Sequence, residues 1–133
     1  MNRRDRVLIE KIIKYIEKVQ AYSQGMEYDD FVGDTKTTEA CAFAITQISE
    51  LSFRLSDELR EKQSHIPWIN IKGMRNMLVH NYEVVDLTIF WNAVGKSLPS
   101  LKSDLQAILK GKLTKTYCNL QKIVVYYPYN KKT

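Results

Sequence analysis

Eight consecutive residues, Arg75-Asn76-Met77-Leu78-Val79-His80-Asn81-Tyr82, place a permanent cation, a carboxamide, an imidazole and a phenol within about two helical turns. Arginine offers a planar fork that can grip a phosphate through two hydrogen bonds, and histidine is the side chain whose ordinary pKa lies near neutrality. Together they form a set suited to cleaving an RNA phosphodiester without a metal, with Asn76 able to orient either partner. One chain, however, supplies one imidazole here. Attack by a 2′-hydroxyl needs one group to remove its proton and another to protonate the departing 5′-oxygen. On an ideal helix Arg75 and His80 also point about 140° apart, whereas Asn76 lies only about 40° from His80. Two copies facing each other across a two-fold axis would meet both needs, with one His80 as base, the other as acid and two Arg75 steadying the phosphorane. No metal or cofactor enters such a site.

The segments that must position these residues read as helices. Leu8, Ile9, Ile12, Ile13, Ile16 and Val19 recur at helical spacing with charged residues opposite, which predicts a helix over residues 4–22, ended by Gly25. Residues 28–33 read as a connector. Asp34 or Thr35 can cap a second helix reaching about residue 59, striped by Cys41, Ala44, Ile45, Ile48, Leu51 and Leu55. Pro67 suits the first turn of a third helix, which carries the motif and is expected to fray near Asn81. Asp86 can cap a fourth, packed through Leu87, Phe90, Trp91 and Val94, and Pro99 should kink or restart the helix that ends near Lys110 and Gly111. The expected architecture is all-α, an up-and-down bundle of four to five helices over residues 1–111. Residues 112–133 form a basic, Tyr-rich extension in which Ile123-Val124-Val125-Tyr126-Tyr127 favours an extended strand. Such a strand would lie against the bundle, a second copy or a partner.

A chain of 133 residues with a net charge of +5 suggests one domain of basic character, but the charge is local. Six lysines follow Asp104 with no acidic residue among them, so residues 1–104 sum to −1. Any attraction for phosphate must therefore come from the motif or from the C-terminal end. Cys41 and Cys118 are too few and too distant for a disulfide framework or a metal knuckle. No stretch has the length of a membrane span and the N-terminus has no apolar leader, so a cytoplasmic protein is expected.

The run Ile66-Pro67-Trp68-Ile69-Asn70-Ile71-Lys72-Gly73-Met74 leading into Arg75, a polar residue after that Arg, His80 five positions on and Tyr82 two further resemble the HEPN superfamily. The likeness is specifically to its HepT-like ribonuclease toxins and runs over roughly residues 3–110. It implies a HEPN helical bundle and a homodimer joined through the motif face. Arg75 and His80 would be the catalytic residues, Asn76 a support, and RNA the substrate. It also implies a type VII-like toxin–antitoxin pair, in which a cognate minimal nucleotidyltransferase antitoxin attaches AMP to Tyr82. A phosphate ester there would exclude RNA by bulk and by like charge. The competing expectation is a non-catalytic HEPN module that binds nucleotide or substrate for an accompanying nucleotidyltransferase, with Arg75 as an anion hook.

Other signals have plainer explanations. His65 has no partner at catalytic spacing and reads as a surface residue, and Gly95-Lys96-Ser97 lacks the first glycine of a phosphate-binding loop. Asp29, Asp30 and Asp34 suit helix starts better than a metal. Tyr117, Tyr126, Tyr127 and Tyr129 fit strand packing better than base stacking.

Overall fold

In the computed structural model, residues 1–80 and 86–111 are described; the extended segment expected at 123–127 lies outside them. The fold is all-α, and among the described residues there is no strand. The helices are α1 (Arg3–Tyr22), α2 (Tyr28–Val32), α3 (Thr35–Ser52), α4 (Asp57–Lys62), α5 (Trp68–His80), α6 (Leu87–Asn92) and α7 (Leu98–Leu109), with one π-helical turn at Ala93–Ser97 between the last two. α1 lies between α3 and α7, α5 packs on the far side of α3, and α2 bridges α3 to α6.

Polar contacts fix the directions. Arg6 Nη2 donates to the Leu109 carbonyl at one end of α1, while Lys102 meets Glu17 at 3.2 Å near the other, so α1 and α7 run antiparallel. Glu50 opposite Arg75, and Phe53 opposite Lys72, set α3 and α5 antiparallel in the same way. The layout is the up-and-down bundle expected from the periodicity. The predicted stripes of α1 and α3 are all buried, and Ile71, Met74, Met77 and Leu78 of α5 meet them with Leu98, Leu101, Leu105 and Ile108 of α7. Phe31 of α2 stands edge-on to Phe90 at 5.2 Å and against Trp91 at 4.9 Å, which seals the end of the core where α6 begins.

Caps fall where oxygen-bearing side chains precede apolar runs. Asp34 accepts from the Thr37 amide, a bond that holds its carboxyl below the usual carboxylate range, and Asp86 accepts from the amides of Thr88 and Ile89. Gly25 takes φ +76°, the left-handed turn that releases the chain from α1, as Gly111 does after α7.

Two expectations need correction. The connector at 28–33 is the short helix α2, begun by Asp30 accepting from the Glu27 amide. The second long helix does not reach residue 59 but stops at Ser52, and α4 starts afresh after Ser56. The cause is a contact distant in sequence: the Ser56 amide and hydroxyl donate to Asp5 at 2.9 and 2.6 Å, while the same hydroxyl accepts from the Leu59 amide. Pro99 restarts the helix, one of the two outcomes expected of it, and stands in the first turn of α7. Lacking an N–H, it cannot complete the regular ladder, and the preceding turn widens to the π form.

Candidate active site

Trp68, buried at the start of α5, sets the position of the motif helix. Its indole N–H is shared between the carbonyls of Arg60 and Gln63 at 3.2 Å each, which fastens α5 to α4. Pro67 stands just before the helix, its carbonyl accepting from Asn70 and Ile71, and the helix then runs without interruption to His80. With Ile71, Met74, Met77 and Leu78 turned into the core, Ile69, Lys72, Arg75, Asn76, Val79 and His80 fall on the outer side.

Arg75 is held on that outer surface from two sides. Its Nη1 donates to the Asn76 Oδ1 at 2.9 Å. Its Nε lies 2.9 Å from Glu50 Oε1 of α3, yet the N–H is not aimed along that line and has no aligned acceptor. The guanidinium is thus placed and charge-paired, with its Nε buried and the side chain 31% exposed. Glu50 is half exposed, and such pairs contribute only about 0.2–1 kcal/mol, so an incoming phosphate can compete for Arg75. His80, the last residue of α5, is exposed and makes no hydrogen bond or ion pair among the described residues. Because α5 stays helical up to it, the angular separation from Arg75 persists. Arg75 and Asn76 are brought together; His80 stands at the helix end, and Tyr82 lies outside the described residues.

Around these groups the surface is unusually apolar. Ile69 is 76% exposed, Val79 46% and, on the face of α3 that carries Glu50, Phe43 is 61% exposed. Glu50 was not foreseen, since nothing in its local sequence marks it as a partner for a residue 25 positions on. His65 was also read too simply. It is half-buried and its charge acts on Asp104 of α7, whose carboxyl is pushed up by burial and drawn back by that imidazole. Cys41, on the apolar stripe of α3, is a buried thiol with a pKa pushed up to about 12 by burial. Among the described residues no three His, Cys, Asp or Glu side chains gather as a metal-holding group, and no helix is long and apolar enough to cross a membrane.

Comparison with known proteins agrees on one group. The family profile described as Ribonuclease HepT-like matches residues 12–108. A candidate RNase of Caldanaerobacter subterraneus is 34% identical over 79% of this chain and 94% of its own length. A candidate ribonuclease HepT of Thermococcus cleftensis is 30% identical over 83% of this chain and all of its own. A larger protein of Methanocaldococcus jannaschii, named as a gamma-glutamylcyclotransferase and candidate RNase, is 32% identical over 96% of this chain and 57% of its own length. That match takes in most of the stretch beyond Gly111. No solved structure matches.

Proposed function

The chain belongs to the HepT-like ribonuclease family, and from that premise we propose that it is a metal-independent endoribonuclease whose active site is completed by a second copy. The observation that carries the reading is the outer face of α5. It holds a pre-positioned, part-exposed Arg75 and an exposed His80 among exposed Ile69, Val79 and Phe43. Uncovered apolar residues around a polar centre suit a homodimer interface. Facing copies would bring the Arg75 of each chain toward the His80 of the other, which a single straight helix does not do.

In the resulting cleft one His80 removes the 2′-hydroxyl proton, O2′ attacks phosphorus, and the P–O5′ bond breaks as the second His80 gives its proton to O5′. The products are a 2′,3′-cyclic phosphate and a free 5′-hydroxyl. Arg75 from each copy binds the non-bridging oxygens as charge builds on them, and Asn76 keeps the guanidinium in register. Tyr82, two residues past His80, is the acceptor for AMP from a cognate nucleotidyltransferase antitoxin, and the added phosphate silences the toxin.

RNA cleavage in the presence of EDTA tests this. His80→Ala or Arg75→Ala should abolish it, and the parent should be toxic to a bacterium that tolerates both variants. Cleavage surviving either change would sink this assignment, and a parent that binds mononucleotides but never cuts RNA would be a nucleotide-binding module.

A further inference from the structure

Beyond Arg75 the outer surface continues as a second set of groups that the cleavage chemistry does not use. Lys72, one turn before Arg75 on the same face, places its ammonium 5.4 Å from the centre of the Phe53 ring and makes no ion pair among the described residues. Arg60 of α4 lies over the same ring at 5.1 Å. Its Nη2 is held by Asp57 at 2.6 Å. Arg75, Lys72 and Arg60 thus form a track of cations. It ends in an open concavity of about 490 Å³ between α4 and the start of α5, lined by Phe53, Arg60, Glu61, Trp68, Ile69 and Asn70 among others.

From this arrangement we infer that the concavity is a subsite for the nucleotide next to the scissile phosphate, an inference that rests on the ribonuclease reading above. Lys72 takes the neighbouring phosphate, and the base enters the concavity and stacks on the guanidinium plane of Arg60. Bases stack on arginine planes as they do on aromatic rings. Here the plane is already fixed from beneath by Phe53 and at its edge by Asp57, so little freedom is lost on binding. The charges decide which part of the nucleotide goes where. Asp57 and exposed Glu61 on the lining repel a phosphate but not a neutral base, whereas Lys72, outside the concavity and without a carboxylate partner, attracts the phosphate. Ile69 supplies an apolar wall.

A single-stranded 2′-O-methyl oligoadenylate, which has no nucleophile and cannot be cut, is the probe, with its affinity for the full-length protein followed across a salt series. Arg60→Lys keeps the charge, removes the plane, and leaves the backbone carbonyl that accepts from Trp68. It should bind about 5- to 100-fold more weakly, the loss of one stacked base. Lys72→Gln should make the slope of log affinity against log salt shallower by about 0.7, the loss of one single-strand phosphate contact, and Lys72→Arg should restore it. Circular dichroism and sedimentation establish that fold and assembly are unchanged in each variant. If the parent binds and cuts RNA while Arg60→Lys and Lys72→Gln match it in affinity and slope, the subsite is wrong and the ribonuclease stands. A parent that neither binds nor cuts RNA overturns both.

Discussion

The start of α1 and the outer face of α5 both set polar groups against packed helices, and they finish them in opposite ways. At α1 the carboxylate of Asp5, only 2% exposed, has both oxygens engaged by Ser56, and the Ser56 hydroxyl in turn receives the Leu59 amide. On α5 Arg75 is part-exposed and meets only half-exposed Glu50 and its neighbour Asn76 among the described residues, while Ile69, Val79 and Phe43 stand in solvent. The first region is complete within one chain and serves the fold. The second has a part-exposed cation and apolar area to spare, which is the condition of a surface that a ligand or another chain can complete.

The sharpest way to test that contrast is to cut the same side chain on each side of it. Ile48, 1% exposed beneath α5, should lose about 2–5 kcal/mol of stability on Ile48→Ala, because the cavity cannot close. Ile69→Ala should lose less than about 0.5 kcal/mol in urea unfolding of the monomer. Its effect should appear instead as weaker self-association in sedimentation. An Ile69→Ala protein that associates like the parent would remove this face from the interface.

A smaller loss is expected at the closed region. Ser56→Ala removes the cap of α4 and leaves one Asp5 oxygen buried without its donor, which should lower stability by about 1–3 kcal/mol. Denaturant midpoints read it directly, and cleavage of RNA should not change at temperatures where the variant is folded. Glu50→Gln reverses the pattern. Stability should change by less than about 1 kcal/mol, since the pair with Arg75 is partly exposed. Affinity for uncleavable RNA should rise several-fold, because a competing carboxylate is gone. Weaker RNA binding would mean that Glu50 positions Arg75 rather than masking it.

The same contrast governs how much could be read from the sequence. The stripes of α1 and α3, the caps at Asp34 and Asp86 and the turn at Gly25 depend on residues within a few positions of one another, and local spacing carries them. The break after Ser52 was missed because the apolar rhythm continues unchanged through Leu55 and Leu59, while the bond that ends the helix comes from Asp5, 51 residues away. In the site, Arg75, Asn76 and His80 were legible from their types and spacing. Their surroundings were not: Glu50 reaches Arg75, and Arg60 reaches Phe53, only once α3, α4 and α5 are packed. His65 looked like a solvated loop residue because Asp104, which faces it, belongs to the last helix.

That pair gives the smallest expected effect and the most specific in pH. Asp104 is buried in α7, one of its oxygens has no hydrogen-bond donor among the described residues, and burial pushes its carboxyl up while the charge of His65 pulls it back. The folded chain therefore keeps the Asp104 proton to a higher pH than the unfolded chain, where the usual value is about 3.9. Between the two values folding takes up a proton, so this group makes stability fall as pH rises through that window, and the penalty is absent below it. Asp104→Asn cannot lose the proton. Relative to the parent it should gain stability as pH climbs from about 4 toward neutrality, as measured by urea unfolding at several pH values. His65→Gln should push the carboxyl further up and steepen the parent's decline, an effect that vanishes when Asp104 is already Asn. If the stability of Asp104→Asn parallels that of the parent across the range, Asp104 is paired in solution, and α7 has the closed character of α1 rather than the unfinished character of α5.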